Sequence, residues 1–215
     1  ISNLNYDADG LPFADTTAIT SNPTLDYANA AALYTADPSA TFSITDTTSN
    51  LTTNQGTSAT NALDAATSIT LTSGQTISAA QVTAFNAQIT GGSLASGYAL
   101  TGSIDSGHPN GVNATANAAA LAASGTVTVT KNASTTALTV ADSLVANALG
   151  GGTKSYALED SLTNLLAAPT ATVTAATAVS DSVNRASTPY TVSQINELTA
   201  KYGAKVSDTI NVTDT

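Results

Sequence analysis

The residues with the clearest capacity for chemistry stand near the start of the chain. Asn5-x-Asp7-x-Asp9-Gly10 matches the first half of a calcium loop. Oxygen ligands two residues apart point into one cavity, and the glycine permits the sharp turn. Leu11 would add its backbone carbonyl. The bidentate Glu usual at loop position twelve is replaced by Thr16, and Asp15 is the nearest carboxylate. The expected metal set is therefore Asn5, Asp7, Asp9, Leu11 and Asp15, with calcium as the cofactor. The competing reading is an ordinary Asx-rich surface turn.

Catalytic groupings are sparse. His108 is the only histidine and sits in the turn-like Ser106-Gly107-His108-Pro109-Asn110-Gly111, with no nucleophile at motif spacing. Gly150-Gly151-Gly152-Thr153-Lys154 lacks the Gly-Lys-Ser/Thr ending of a phosphate loop and reads as a turn after a helix. Glu159 and Asp160 are adjacent, not paired across a cleft as glycoside hydrolysis requires. The chain is expected not to be an enzyme.

What must position any site is a unit written several times. Its clearest copy is Tyr156-Ala157-Leu158-Glu159-Asp160-Ser161-Leu162-Thr163-Asn164-Leu165. Alternating Tyr156 and Leu158 predict a strand, and Leu162, Leu165 and Leu166 predict a helical face. Asp160 between them is expected to be the helix N-cap. Phe42-x-Ile44-x-Asp46-Thr47-x-x-Asn50-Leu51 repeats the pattern. Ala137 to Leu149 is a third version, with strand Leu138-Thr139-Val140, Asp142 as cap, Leu144, Val145, Ala148 and Leu149 as helix positions, and Gly150 as the C-terminal stop. Val179 to Asn184 is a fourth, with Asp181.

A second unit alternates with the first. Ser78-x-x-Gln81 and Thr191-x-x-Gln194 have capping-box form, each followed by a helical apolar face and a terminal glycine. Ser68 to Thr72 and Thr126 to Thr130 alternate with period 2 and are rich in β-branched residues. A first short helix is expected over Asp26 to Thr35, and an Ala-rich one over Val112 to Ala123. Alternation of strand and helix predicts parallel strands. The expected fold is α/β, an irregular right-handed repeat solenoid of short parallel strands alternating with short helices. A doubly wound sheet and a Thr-rich β-sandwich are the competing forms. Residues 1–24 read as a lead-in or linker carrying the calcium loop, and 25–215 as the β/α repeat domain.

Composition narrows the function. The 215 residues carry 15 acidic against 5 basic side chains, a net charge of −10, which repels phosphate backbones and anionic lipid. Nucleic acid and membrane surfaces are thus excluded as expected partners, and no apolar stretch reaches the roughly 20 residues of a membrane span. Without cysteine there is no disulfide or thiolate site. Without methionine, even at the start, the chain is expected to be a processed product or an internal piece of a longer one. Only 9% of residues are charged and 5% aromatic, so the surface must be Thr, Ser and Asn, and the core must be thin. The sequons at Asn50, Asn113, Asn132 and Asn211 mark glycosylation only in a competent source, and Asn50 already belongs to the repeat pattern.

These aromatic-x-aliphatic-x-Asp-Ser/Thr-x-x-Asn-Leu units, with Ala-rich helices and Thr-alternating strands, resemble repeat modules of large bacterial secreted surface proteins. Adhesin-like, hemagglutinin-like and S-layer-like proteins, cyanobacterial ones included, carry such modules. The resemblance covers about residues 40–215. It implies an extracellular, cell-surface structural or adhesive protein, often calcium-dependent, that self-associates or adjoins further repeats. The Gly-Gly-x-Gly-x-Asp repeats that often accompany such modules are missing. The ending Asp208 to Thr215 is expected to continue into a longer chain or to pair with another subunit. The alternative function is a glycan- or surface-binding module using Tyr6, Tyr27, Tyr34 or Tyr98 as stacking platforms.

Overall fold

The computed structural model describes residues 22–54, 62–89, 94–105, 110–112, 114–132, 135–182 and 189–207. The proposed calcium ligands Asn5, Asp7, Asp9, Leu11 and Asp15, the histidine His108 and the ending 208–215 lie outside the described residues. Two compact parts are formed, Ile1–Thr76 with Gln81–Tyr98, and Ile77–Ala80 with Ala99–Thr215.

Alternation of β-branched and hydroxyl residues makes the strands, and short polar caps start the helices. In the N-terminal part the order is β1 (Thr24–Leu25), α1 (Tyr27–Ala36), β2 (Ser43–Asp46), α2 (Thr48–Asn54), α3 (Ala62–Ala65) and β3 (Ser68–Leu71). Asp26 caps α1, its side chain accepting the Asn29 N–H at 2.8 Å. The strands lie in the order β1-β2-β3, with Ile44 opposite Ile69. Leu94 adds a bridge beside Ile69. Phe42, Ile44, Leu51, Leu63, Ile69, Val82 and Phe85 fill this core.

The chain continues with β4 (Thr76–Ser78), α4 (Ala79–Gln88), β5 (Ala99–Ser103), α5 (Ala118–Ala123), β6 (Thr126–Thr130) and α6 (Val140–Ala148). Then follow β7 (Thr153–Asp160), α7 (Leu162–Ala167), α8 (Thr170–Ala175), β8 (Ala176–Asp181) and α9 (Val192–Tyr202). The second sheet runs β4-β5-β6-β7-β8. Every register given for the described strands is parallel, for example Leu100 opposite Val127 and Leu158 opposite Val179. The expected α/β class with parallel strands is what the chain adopts. In both sheets spatial order equals chain order, without the reversal that marks a doubly wound sheet.

Three expectations need correction. Leu138-Thr139-Val140, expected as a strand, gives only a bridge from Leu138 to Leu158, because Thr139 caps α6 and Val140 begins it. The Ala-rich helix is confined to Ala118–Ala123, preceded by a 3-10 turn over Thr115–Asn117. Helix α6 turns the opposite face inward from the one its apolar residues suggest. Leu144 and Val145 are 50% and 48% exposed, whereas Ser143 and Ala146 are fully buried. The reason is polar: the Ser143 hydroxyl bonds the Val140 carbonyl at 2.6 Å and meets the Thr172 hydroxyl at 2.9 Å. Asn147 ties the same face to Thr172 and accepts the Tyr156 hydroxyl at 3.0 Å.

The helix starting at Thr191 is as expected. The Thr191 hydroxyl accepts the Gln194 N–H at 3.3 Å, and the Gln194 side chain accepts the Thr191 N–H at 3.0 Å. Its far end is buried against α7, where the Tyr202 hydroxyl donates to the Leu165 carbonyl at 2.9 Å. Burial first, then the neighbouring Tyr156 and Asp160, push that phenol up to about 12.

Backbones approach one another closely, as a core of small residues demands. At Gly152 an added Cβ would stand 2.2 Å from the Gly125 carbonyl oxygen. Gly74 has a φ of 81° but open space around its Cα. Gly152→Ala is therefore expected to cost about 3 kcal/mol, as a backbone clash with no room to relax. Gly74→Ala is expected to cost only about 1–2 kcal/mol, from its left-handed φ alone. Urea unfolding of both variants checks the ranking.

Candidate functional site

The ten-residue repeat pattern is built twice, with the same atoms in the same roles. Period-2 alternation sends Phe42 and Ile44 inward on one sheet, and Tyr156 and Leu158 inward on the other. None of the four is more than 2% exposed. The same alternation turns the last strand residue toward the core side, where Asp46 is buried and Asp160 half-buried. A carboxylate drawn out of water needs hydrogen-bond donors, and here each finds three.

Oδ1 of Asp46 accepts the Thr47 N–H at 2.7 Å and the Asn50 amide at 2.8 Å. Its Oδ2 accepts the Tyr27 N–H at 2.9 Å. Oδ1 of Asp160 accepts the Ser161 N–H at 2.7 Å and the Asn164 amide at 2.8 Å. Its Oδ2 accepts the Val140 N–H at 2.9 Å. Tyr27 and Val140 are the first residues of α1 and α6, the helices preceding each strand. Each carboxylate thus joins the start of the helix before its strand to the start of the helix after it. Both helix N-termini present unpaired N–H groups and the positive end of a dipole, so an anion is the matching partner. Leu51 and Leu165 complete the pattern by packing into the two cores.

These aspartates were expected to be N-caps, and the structure moves the cap by one residue. Ser161 caps α7 through its hydroxyl, which accepts the Asn164 N–H at 3.4 Å. Thr47 does the same for α2, accepting the Asn50 N–H at 3.2 Å. At α6 the cap is Thr139, and Asp142 is its reciprocal partner three residues on, accepting the Thr139 N–H at 3.1 Å. Asp142 also pairs with Lys131 at 3.2 Å. Asp181, the fourth expected cap, ends β8 in register with Asp160 and is buried.

Burial pulls the pKa of Asp46 and Asp160 upward, but their hydrogen bonds outweigh it and hold both below the ordinary carboxylate value. For Asp46 the donors are the N–H groups of Tyr27 and Thr47 and the Asn50 amide. For Asp160 they are the Asn164 amide and the N–H groups of Val140 and Ser161, with Asp142 opposing by like charge. Asp142 is lowered the same way: burial raises it, while Thr139 and then Lys131 more than compensate.

Other expected site residues are placed in structural roles. Lys154, in the glycine-rich turn, is buried and folds back to donate to the Gly150 and Gly152 carbonyls at 2.8 and 2.6 Å. Of the proposed stacking tyrosines, Tyr98 is buried, Tyr27 and Tyr34 are half-buried, and Tyr6 lies outside the described residues. Among the described residues no group of three or more His, Cys, Asp or Glu side chains could hold a metal. None of their helices is long and apolar enough to cross a membrane.

Outward strand faces carry a feature that sequence reading passed over. Hydroxyls on neighbouring strands meet: Thr45 and Thr70 at 2.5 Å, and Thr128 and Ser155 at 3.4 Å. The signal was present in the in-phase Thr and Ser of successive strands, but only the register brings them together. Comparison with known proteins yields no match: no protein-family model, no curated protein and no solved structure aligns with the chain.

Replacing Asp160 by Asn turns one acceptor atom into a donor facing an N–H group. Asp160→Asn is expected to lose about 3 kcal/mol, the worth of charge-assisted bonds plus an unsatisfied donor. Because the folded pKa values of Asp46, Asp142 and Asp160 lie below the ordinary 3.8, their stabilisation is complete above that pH. It is lost as pH falls through the folded values, since the unfolded chain then binds more protons. Urea titrations between neutral and acid pH should show that limb, and it should be shallower in Asp160→Asn. An equally steep limb in the variant would show that Asp160 is not one of the groups responsible.

Proposed function

We propose that the chain is an extracellular structural module of a surface layer, filament or adhesin, not an enzyme, built as an irregular right-handed solenoid of strand–helix steps. The observation that carries this reading is the aspartate clamp, repeated with matching donors at Asp46 and Asp160. A site made for catalysis occurs once and exposes its reactive groups. A device that ties one helix start to the next is what an array of similar steps requires. Sequential strand order in both sheets supports the same reading, because each step adds its strand beside the last. A low-charge surface of hydroxyls and amides and a net charge of −10 suit a salty exterior. The resemblance to secreted surface repeats points the same way.

Self-association is the corresponding partner, with calcium at Asn5, Asp7, Asp9, Leu11 and Asp15 as its control. Electron microscopy of the purified chain in millimolar calcium, and again with chelator, tests both. Filaments or sheets that disperse on chelation are the expected result. Assemblies indifferent to chelator would retain the structural reading and remove calcium from it. Dispersed monomers under both conditions would overturn self-assembly.

A further inference from the structure

A hollow on the outer face of β5 and β6 is lined by Thr101, Gly102, Ser103, Asn110, Thr128 and Thr130, with Asn132 and Thr136 at one side. We propose that it binds a single neutral pyranose ring, such as the exposed end of a glycan chain. The site is separate from the aspartate clamps and does not depend on the structural role argued above.

Three observations carry the assignment. First, the lining is chemically uniform. Of its eight described residues seven bear a hydroxyl or a carboxamide, and none of the eight is charged. Both groups donate and accept hydrogen bonds, as the hydroxyls of a sugar do. Among the described lining residues an anionic ligand would find no cation.

Second, the size is right for one ring. The volume is about 260 Å³, just below the roughly 300–1,000 Å³ of pockets for drug-sized ligands.

Third, the walls are fixed before any ligand arrives. On one side the Ser103 N–H donates to the Asn110 carbonyl at 2.9 Å, and the Val112 N–H to the Ser103 carbonyl at 2.7 Å. That approach needs Gly102, since a Cβ there would stand 2.2 Å from Val112 Cγ1 and 2.7 Å from the Asn110 oxygen. On the other side Asn132 Oδ1 accepts the Thr135 N–H at 2.7 Å. The Ser103 hydroxyl, nearly buried at the floor, accepts the Asp105 N–H at 2.9 Å and donates to the Lys131 carbonyl at 3.1 Å. A preformed polar hollow loses little entropy on binding.

Without an aromatic among the described lining residues, stacking adds nothing, and affinity should be weak, on the order of millimolar. Amide-resolved NMR titration of the full chain with neutral hexopyranoses, glucuronate and glycerol tests the proposal. Saturable shifts at Thr101, Thr128 and Thr130 with a neutral pyranose are expected, and not with glucuronate or glycerol. Thr128→Val and, separately, Thr130→Val keep the strand shape and should each weaken binding about tenfold. Thr126→Val, on the same strand but outside the lining, should bind as the unaltered chain does. No saturable shift with any neutral pyranose, equal response to glycerol or glucuronate, or undiminished binding in both lining variants would each overturn it.

Discussion

A carboxylate at the end of an inward-facing strand is the constraint on which each repeat turns. Alternation puts Asp46 and Asp160 on the core side, where an unpaired charge is costly. Three donors remove that cost, and two of them are backbone N–H groups belonging to different helices. The charge that would otherwise destabilise the fold thereby fixes the spacing of consecutive helices. The Asn of the pattern supplies the third donor, and the Leu beside it in sequence packs into the core. One short sequence pattern thus specifies a strand end, a helix start and their mutual distance.

Small residues shape the rest. Short helices rich in Ala and Thr bury few carbon atoms per turn, so the layers must lie close. Polar anchors replace some of the missing apolar packing. Ser143 and Thr172 meet in the interior of α6 and α8, where larger chains would use leucine. Lysines serve similarly. Lys205 donates to the Val173 and Thr174 carbonyls at the end of α8, and Lys201 to the Leu166 carbonyl at the end of α7. Cations at helix C-termini answer the negative end of the dipole, just as the aspartates answer the positive end.

Much of this was legible in the sequence, and the misses have physical causes. Strand–helix alternation, parallel pairing and the Thr191 capping box follow from periodicity and cap chemistry, and they stand. The repeat pattern was visible as well, but the cap was placed one residue too early, on Asp46 and Asp160 instead of Thr47 and Ser161. Sequence shows that an Asp precedes a helix. It does not show which side of the strand that Asp faces, nor that a backbone N–H 20 residues earlier, at Val140, will be waiting for it. The orientation of α6 failed for a related reason. Apolar spacing at Leu144, Val145 and Ala148 outvotes Ser143 in any count, but a buried hydroxyl with two partners outweighs a count. The hollow beside Thr128 depends on register and on loops tied across strands, and neither is written locally.

Charge links the interior to the surface. The described lysines, Lys131, Lys154, Lys201 and Lys205, are all engaged, three of them on backbone carbonyls and one on Asp142. Spent on helix ends and turns, these cations neutralise few of the chain's 15 acidic groups elsewhere. The surface is left with hydroxyls, amides and an excess of negative charge. In a parallel array with strand edges, that excess acts against indiscriminate edge pairing. Its range is set by ionic strength, about 8 Å at physiological salt. Repulsion from that charge is therefore strongest in dilute buffer and falls as salt screens it.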